Sequence, residues 1–418
     1  MRVLIEKGRA SGAVCAPPSK SYAHRYLIAA ALSKDGGTVH GISESEDMKA
    51  TLSCLASLGA RFEKEGDTVR FLDRSGERSE IFSCLESGSS LRFMIPIALT
   101  ATEKATFIGT ERLLTRGVSV YEELFASKGI TVQKTAESLT FSGRLQAGDY
   151  RVKGDVSSQF ITGLLFALSI SKRASTLTIS TKMESEPYVN ITLDALSAFG
   201  VNVIKSNNAF IIPDDSTFTS PENLEVEGDW SNAAFPLALG IIGGAPISVE
   251  GLLPTSSQGD KEIVTVLRRF GGRIEEKDNC FTAYPSPLSG IEIDASNIPD
   301  LVPILATVAS VARGETVIYG ASRLRLKESD RLLSVSTVLS SLGADISQTD
   351  DGLIINGKEH LIGGSVDSFG DHRIAMSAAG ASAVCTADLI ISGAESVNKS
   401  YPDFWRDMRS LGLIFTEN

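Results

Sequence analysis

A short pattern, made of an amphipathic helix end, a glycine and a β-prone segment, occurs six times in this 418-residue chain. In each copy the glycine suits a left-handed helix C-cap, and the alternating apolar residues that follow are typical of a strand. A repeat at near-constant spacing, here 69–72 residues, constrains the fold more than any single motif does. The copies are centred on Gly59, Gly129, Gly200, Gly271, Gly343 and Gly412.

A second feature recurs with nearly the same period. It is a Ser- or Asp-containing turn that leads into an apolar, alanine-rich segment, which predicts an N-cap followed by a helix buried on nearly all sides. Each unit then reads as strand, helix, strand, helix, strand, strand, and six units divide into two α/β domains of three. The predicted helices follow Ser19, Ser87, Asp155, Gly228, Asn297 and Ser368.

The composition limits the classes of function. A net charge of -11 excludes the broad basic surface that nucleic-acid binding requires. The five cysteines form no CxxC pair and the four histidines do not lie at ligand spacing, so no metal site is expected. The scattered cysteines are typical of reduced thiols in the cytosol.

The N-terminal segment does not read as a signal peptide, because Glu6 and Lys7 lie where its apolar region would be. No apolar run approaches the length that spans a bilayer. The sequence therefore predicts a cytoplasmic protein that does not associate with membranes.

Cations and small polar residues cluster at the starts of the predicted helices. Lys20, Ser21 and Arg25 open the first one, where exposed N–H groups and the helix dipole favour a phosphate. Gly88 and Arg92 repeat the arrangement in the segment SGSSLRFM. A solvated helix start and an ordinary capped helix are the alternatives at these two places.

Three further segments carry groups suited to binding a phosphorylated metabolite. Ser157, Ser158 and Gln159 offer uncharged donors, although a plain serine cap is the alternative. The segment RLRLKESDRLL is dense in charge, for which a solvated helix face is the alternative. Arg373, in GDHRIAM, and Lys399 precede or open further helices, where a cation opposes the dipole unless an anion is bound.

These motifs occur in an order that resembles the 5-enolpyruvylshikimate-3-phosphate (EPSP) synthase family, and the resemblance runs over essentially the whole chain. The matching residues are the SKS start with Arg25, the Gly88–Ser89 turn, the SSQ triplet, Pro187–Tyr188, the IPD segment, LKESDR, DHR and Lys399.

The resemblance implies an α/β fold, a two-domain inside-out α/β barrel in which each domain has three βαβαββ repeats with buried helices. Domain I is expected to contain residues 1–19 and 228–418, and domain II residues 20–227. The chain is expected to cross between them near Pro17–Lys20 and Glu227–Asp229. The active site is expected in the cleft between the domains, which close on the substrate.

The resemblance also implies the ligand contacts, with no metal and no cofactor. Shikimate 3-phosphate is expected to contact Lys20, Ser21, Arg25, Ser157, Ser158, Gln159, Ser185, Tyr188, Asp300 and Lys327. Phosphoenolpyruvate is expected to contact Lys20, Gly88, Arg116, Gln159, Arg331, Arg373 and Lys399.

The implied reaction is an addition followed by an elimination, in the shikimate pathway of aromatic amino-acid biosynthesis. The 5-hydroxyl of shikimate 3-phosphate attacks C2 of phosphoenolpyruvate, C3 gains a proton, and phosphate then leaves. Each step needs a group that moves a proton, and we assign Asp300 as the base and Glu328 as the acid at C3, with Lys20 assisting. An exchange of roles between Lys20 and Glu328 in the two steps is the alternative. A monomer is expected, since a protein whose two domains must hinge can work as a single chain.

Three positions depart from the family pattern. Glu86 replaces the usual asparagine beside the expected phosphate site, where an extra carboxylate would repel the ligand. Gly117 stands where proline is usual after Arg116, and Arg323 where asparagine is frequent.

Two other functions compete with this interpretation. The related UDP-N-acetylglucosamine enolpyruvyl transferases usually have asparagine after the first lysine and a cysteine in a mobile loop, whereas this chain has Ser21 and no cysteine in GTERLLTRGVSV. A noncatalytic sensor of phosphorylated metabolites is the second alternative, but Lys20, Asp300 and Glu328 are all present.

Overall fold

The computed structural model describes residues 1–417, which form two compact units. Unit 1 contains Met1–Ser19 together with residues 227–417, and unit 2 contains Lys20–Val226. The chain therefore leaves unit 1 after Ser19 and re-enters it at Glu227.

The strands account for the repeated β-prone segments of the sequence. In chain order they are β1 Arg2–Ile5, β2 Gly12–Cys15, β3 Gly37–His40, β4 Arg61–Glu65, β5 Thr68–Asp73, β6 Ile81–Ser83, β7 Lys104–Ile108, β8 Thr131–Lys134, β9 Ser138–Ser142, β10 Asp149–Val152, β11 Ser175–Ile179, β12 Ile204–Ser206, β13 Ala209–Ile212, β14 Leu224–Glu225, β15 Ile247–Glu250, β16 Arg273–Lys277, β17 Cys280–Tyr284, β18 Glu292–Asp294, β19 Glu315–Tyr319, β20 Asp345–Gln348, β21 Leu353–Asn356, β22 Gly364–Asp367, β23 Leu389–Ser392 and β24 Phe415–Glu417.

The helices alternate with these strands. They are α1 Lys20–Leu32, α2 Glu46–Ser57, α3 Gly88–Ala101, α4 Glu111–Thr115, α5 Ser119–Ala126, α6 Ser158–Ile170, α7 Glu186–Ala198, α8 Trp230–Ile242, α9 Ile263–Arg269, α10 Val302–Ala309, α11 Arg331–Ser341, α12 His372–Ala381 and α13 Phe404–Ser410. Short 3₁₀ helices cover Gly259–Glu262, Pro299–Leu301, Ser322–Leu326, Ser382–Val384 and Ala394–Lys399.

Residues 1–417 build six four-stranded sheets, and all six share one topology. In each sheet the first two strands are parallel. The second strand pairs antiparallel with the third, and the third pairs antiparallel with the fourth, as in β10-β11-β13-β12. The strand orders are β14-β3-β5-β4, β6-β7-β9-β8 and β10-β11-β13-β12 in unit 2, and β2-β15-β17-β16, β18-β19-β21-β20 and β22-β23-β1-β24 in unit 1. The predicted βαβαββ unit is therefore confirmed.

Three of these sheets take a strand from a distant part of the chain. Strand β2 pairs with β15, strand β14 pairs with β3, and strand β1 lies between β23 and β24. In the last case, β24, the strand that follows Gly412, pairs with β1 from the start of the chain. At the chain crossing, the backbone of Ser19 donates to the carbonyl of Glu227 (2.7 Å).

The apolar helices form the centre of each unit. In unit 1, α8, α10 and α12 pack against one another, and every residue of α10 and α12 is buried. In unit 2, α3 packs against α6, and α1 packs against α2 and α7. Since α3, α6, α8 and α10 are apolar on nearly all sides, burial in the interior is the expected outcome, and the prediction is confirmed.

The predicted glycine ends of the helices are confirmed, and four of the predicted N-caps form, whereas α10 begins without a side-chain cap. All six repeat glycines have φ between +75° and +105°, a region that favours glycine over any side chain. At the opposite ends, the side chains of Ser87, Ser157, Asp229 and Asp371 accept hydrogen bonds from the first turns of α3, α6, α8 and α12. These caps fix the helix starts that carry Gly88, Ser158, Gln159 and Arg373. No helix within residues 1–417 has the length and apolar character needed to cross a bilayer.

Candidate active site

A cluster of charged side chains in unit 1 is centred on Arg331, which is 2% exposed. Its guanidinium contacts three carboxylates, with Nη1 2.7 Å from Asp300, Nη2 2.8 Å from Glu328 and Nε 2.8 Å from Asp371. Burial lowers the pKa of Arg331, but Asp371, Glu328 and Asp300 outweigh it, so the pKa is raised overall. The arginine is therefore a fixed positive charge at the start of α11.

Asp300 lies in the 3₁₀ helix before α10 and is surrounded by cations. Besides Arg331, its carboxylate is 3.3 Å from Nζ of Lys327 and 3.6 Å from Nη2 of Arg373. Burial raises the pKa of Asp300, but Lys327, Arg373 and Arg331 outweigh it and hold the pKa well below its usual value. The group is ionised at neutral pH.

The second arginine of this unit, Arg373, is 3% exposed and lies in the first turn of α12. Its Nη2 donates to Oγ of Ser231 (2.7 Å) and its Nη1 to the carbonyl of Ser231 (3.1 Å), at the start of α8. Lys399 is also buried, at the end of a 3₁₀ helix that packs against α12. Thus Asp300, Lys327, Glu328, Arg331 and Arg373 form one network.

In unit 2, Lys20 is the first residue of α1, and its Nζ lies 3.0 Å from the buried carboxylate of Asp47 in α2. The two helices are tied to the start of α3, because Thr51 shares hydrogen bonds with His24 (2.7 Å) and Ser90 (2.8 Å). The ammonium group of Lys20 is therefore held in place by a carboxylate that packing keeps out of solvent.

Arg25, one turn into α1, is held by four hydrogen bonds. Its guanidinium donates to Oγ1 of Thr192 (2.8 Å) and Thr162 (3.2 Å), and to the carbonyls of Tyr188 (2.9 Å) and Ser21 (2.6 Å). Burial lowers the pKa of Arg25 to about 10, so the group remains charged at neutral pH. These contacts bring together three residues predicted to bind the substrate, Ser21 and Arg25 of α1 and Tyr188 of α7.

A second group in unit 2 surrounds Gly88 at the start of α3. A Cβ atom placed on Gly88 would lie 2.9 Å from Nη1 of Arg92 and 3.2 Å from Nη1 of Arg116. Arg92 also donates to Oε1 of Gln159 (2.7 Å), whose amide group donates to Oγ of Ser89 (3.0 Å). Glycine thus allows two guanidinium groups to lie close beside its backbone.

The remaining predicted residues of unit 2 lie at helix starts. Ser157 caps α6, and Ser158 is its first residue and is buried. Ser185 precedes α7 with a φ of 54°, a left-handed conformation that costs a non-glycine residue on the order of 1–3 kcal/mol and is frequent at functional sites.

The three departures from the family pattern have distinct structural settings. Glu86 has an exposed side chain. Gly117 has a φ of +76°, which proline cannot adopt, and its carbonyl accepts a hydrogen bond from Nη2 of Arg92 (3.3 Å). Arg323 donates to the carbonyl of Ser296 (2.7 Å). The chain therefore holds Arg116 with a turn that differs from the proline turn.

Sequence reasoning missed the carboxylates that position the cations. Asp47 reads as an ordinary acid in the first turn of a helix, and Asp260 as part of a polar turn, so neither gave a signal. Arg92 was noticed at a helix start but was not assigned to a ligand. Asp371 belongs to the DHR motif, yet only the structure shows that it binds Arg331 and caps α12.

A cavity of about 840 Å³ in unit 1 contains none of the predicted site residues. Its lining includes Arg9, Ile242, Gly243 and Val384, at the C-terminal ends of the central helices. The chemistry indicated by the motifs lies at the opposite, N-terminal ends. We therefore assign the candidate site from the cation clusters and not from this cavity.

The cluster around Arg331 in unit 1 and the cluster around Arg25 and Gly88 in unit 2 both present cations at helix N-termini. Backbone N–H groups and the helix dipole already favour negative charge there. Each cluster can therefore bind phosphate or carboxylate groups, and guanidinium pairs bind both kinds of group bidentately. Among residues 1–417, no group of three His, Cys, Asp or Glu side chains is placed to hold a metal ion.

Comparison with known proteins agrees with this chemistry. A family model described as EPSP synthase (3-phosphoshikimate 1-carboxyvinyltransferase) matches residues 5–408. A 3-phosphoshikimate 1-carboxyvinyltransferase of Clostridium kluyveri is 46% identical over 98% of this chain and 97% of its own length. The enzyme of that name from Clostridium perfringens (strain 13) is 43% identical over 100% of this chain and 99% of its own length.

The fold is also shared with solved structures. EPSP synthase from Acinetobacter baumannii matches with a TM-score of 0.82 at 25% identity, covering 99% of both chains. The enolpyruvyl transferase NikO from Streptomyces tendae matches with a TM-score of 0.79 at 18% identity, covering 100% of this chain and 98% of its own, which shows a common fold alone.

Proposed function

Since this chain belongs to the EPSP synthase family, we propose that its two clusters of cations and carboxylates act on one pair of substrates, phosphoenolpyruvate and shikimate 3-phosphate. The chain catalyses the 3-phosphoshikimate 1-carboxyvinyltransferase reaction of the shikimate pathway, which transfers the enolpyruvyl group to the 5-hydroxyl of shikimate 3-phosphate and releases phosphate. The observation that carries the assignment of residues is the cluster around Arg331, in which two candidate proton-moving carboxylates contact one cation.

Phosphoenolpyruvate is proposed to bind Lys20, Gly88, Arg116, Gln159, Arg331, Arg373 and Lys399. Its carboxylate and phosphate require several cations, and guanidinium groups bind both bidentately. Two of these arginines, Arg331 and Arg373, are nearly fully buried, so their attraction for an anion is weakly screened by solvent.

Shikimate 3-phosphate is proposed to bind Lys20, Ser21, Arg25, Ser157, Ser158, Gln159, Ser185, Tyr188, Asp300 and Lys327. In unit 2, the support is the network that joins Arg25 to Ser21 and Tyr188 at the adjoining starts of α1 and α7. Hydroxyl and amide groups at the start of α6 add donors without adding net charge, as a polyhydroxylated phosphate ester requires.

The addition step needs a base for the attacking hydroxyl, and we assign Asp300 to this role. The hydroxyl proton passes to Asp300 as oxygen bonds to C2 of phosphoenolpyruvate, and C3 receives a proton from Glu328. In elimination, C3 returns a proton to the Glu328 carboxylate as the bond from C2 to the phosphate oxygen breaks and phosphate leaves. Lys20 is positioned by Asp47 to assist these transfers.

Substrate binding also changes the basicity of Asp300. The cations Lys327, Arg373 and Arg331 hold its pKa well below the usual value, against the effect of burial, which makes it a weak base in this cluster. The anionic groups of phosphoenolpyruvate compete with the carboxylate for these arginines. Asp300 therefore becomes a stronger base when the substrate that needs it is bound.

We further propose that the protein acts as a monomer in the cytoplasm. All proposed ligand contacts come from one chain, so the reaction does not require a second copy. The five cysteines are free thiols in the described part of the chain, which suits a reducing compartment.

The proposed function is tested by phosphate release from purified protein. We expect release when phosphoenolpyruvate and shikimate 3-phosphate are both present, and none when either is omitted. UDP-N-acetylglucosamine is expected to be inactive as the acceptor. Release with UDP-N-acetylglucosamine alone would assign the chain to the sister activity, and binding of both metabolites without release would favour a sensor.

A further inference from the structure

Asp260 is a buried carboxylate to which the reaction scheme gives no role. It is 3% exposed and lies in the 3₁₀ helix Gly259–Glu262. The hydroxyl of Ser231 donates a short hydrogen bond to its Oδ2. Asp260 is not needed to cap α8, because Asp229 already accepts from the backbone N–H of Asn232 (2.8 Å). Helix capping therefore does not account for this buried acid, and another role is indicated.

Ser231 connects Asp260 to Arg373. A hydroxyl group has one proton, so a serine that donates to Asp260 offers only its lone pairs to other partners. Arg373 uses them, since its Nη2 donates to Oγ of Ser231 at 2.7 Å and its Nη1 to the Ser231 carbonyl at 3.1 Å. The carboxylate thus fixes the direction of the hydroxyl, and the hydroxyl fixes the guanidinium plane.

Two carboxylates compete for the same nitrogen of Arg373. Nη2 donates to the Ser231 hydroxyl, which is bonded to Asp260, and the same Nη2 lies 3.6 Å from Oδ2 of Asp300. Burial, with Asp300 and Asp229, raises the pKa of Asp260 to about 6, although Arg373 and the Ser231 hydroxyl lower it. Protonation of Asp260 near pH 6 would weaken its hydrogen bond with Ser231. Arg373 would then pair more closely with Asp300.

We propose that Asp260 is a positioning residue that acts through Ser231 to hold Arg373 in the orientation that binds phosphoenolpyruvate. This inference rests on the proposed function, in which Arg373 contacts that substrate. Asp260 keeps the guanidinium from forming a closer pair with Asp300, which leaves the arginine available to the substrate and the base available to the hydroxyl. Asp260 itself contacts neither substrate.

The test is steady-state kinetics of Asp260→Asn and Ser231→Ala, with Glu262→Gln as the matched control on the same short helix. We expect the KM for phosphoenolpyruvate to rise about tenfold in both variants, in line with the loss of one charge-assisted contact. The KM for shikimate 3-phosphate should stay within about twofold, and Glu262→Gln should match the wild type. Ser231→Thr retains the hydroxyl and should keep the wild-type KM for phosphoenolpyruvate.

The pH profile separates positioning from a purely structural role. In the wild type, the KM for phosphoenolpyruvate should show an inflection near pH 6 that Asp260→Asn lacks. Inflections from the substrate phosphates remain in both proteins. An unchanged KM and pH profile in folded Asp260→Asn and Ser231→Ala would overturn the inference while wild-type turnover persists. A wild type without turnover would instead overturn the proposed function.

Discussion

Replacing Asp300 by asparagine is expected to lower kcat by about 10²–10⁴-fold, the usual contribution of general acid–base catalysis. Asparagine keeps the shape of the side chain and can accept hydrogen bonds from Lys327 and Arg331, which lie 3.3 and 2.7 Å from the carboxylate. It cannot take the hydroxyl proton. The KM for phosphoenolpyruvate should not rise, because Arg331 and Arg373 lose a competing anion.

Asp294→Asn is the matched control, since it removes an exposed carboxylate from the strand that precedes Asp300. Its kcat should equal that of the wild type. Steady-state phosphate release gives both values, and circular dichroism confirms that each variant is folded. Near-normal turnover in Asp300→Asn, or in the harsher Asp300→Ala, would remove Asp300 as the base.

Replacing Asp371 by alanine is expected to lower the free energy of unfolding of unit 1 by about 3–5 kcal/mol, the cost of breaking a buried ion pair. The carboxylate is fully buried and accepts from Arg331 at Nε (2.8 Å) and Nη2 (3.3 Å). It also accepts from Ser329 (3.1 Å) and from the backbone N–H of Arg373 (2.9 Å), which caps α12.

Tryptophan fluorescence during urea unfolding measures this loss. The two tryptophans, Trp230 and Trp405, both belong to unit 1, so the signal reports on that unit. Asp371→Asn keeps the cap and should lose less. Asp403→Ala, which breaks an exposed pair with Arg406, should cost less than about 1 kcal/mol. Equal midpoints for Asp371→Ala and Asp403→Ala would contradict the role assigned to the buried pair.

The repeat made most of the fold predictable. A glycine that ends a helix has a local conformational cause, so six copies such as Gly59 and Gly343 identify six helix ends from the sequence alone. Apolar helices that lack a polar face must be buried, which places α8, α10 and α12 at the centre of a unit. Both inferences depend on neighbours in sequence, and the structure confirms them.

The strand exchanges could not be predicted in this way. Strand β1 completes the sheet of the last repeat, and β2 and β14 each pair in a sheet whose other strands lie far along the chain. Pairing at such separations depends on tertiary packing, which local patterns do not encode. The same limit applies to the site, because the positioning roles of Asp47 and Asp260 depend on partners 27 and 29 residues away.

The central claim, enolpyruvyl transfer by addition and elimination, is tested most directly by running the reaction in deuterated water and analysing the product by mass spectrometry. Addition places a solvent-derived deuteron on C3 of phosphoenolpyruvate, and the resulting methyl group rotates before it loses one hydrogen. The account predicts an enolpyruvyl ether of shikimate 3-phosphate that carries deuterium on its terminal vinyl carbon. An enolpyruvyl ether without deuterium, or no ether at all, would contradict it.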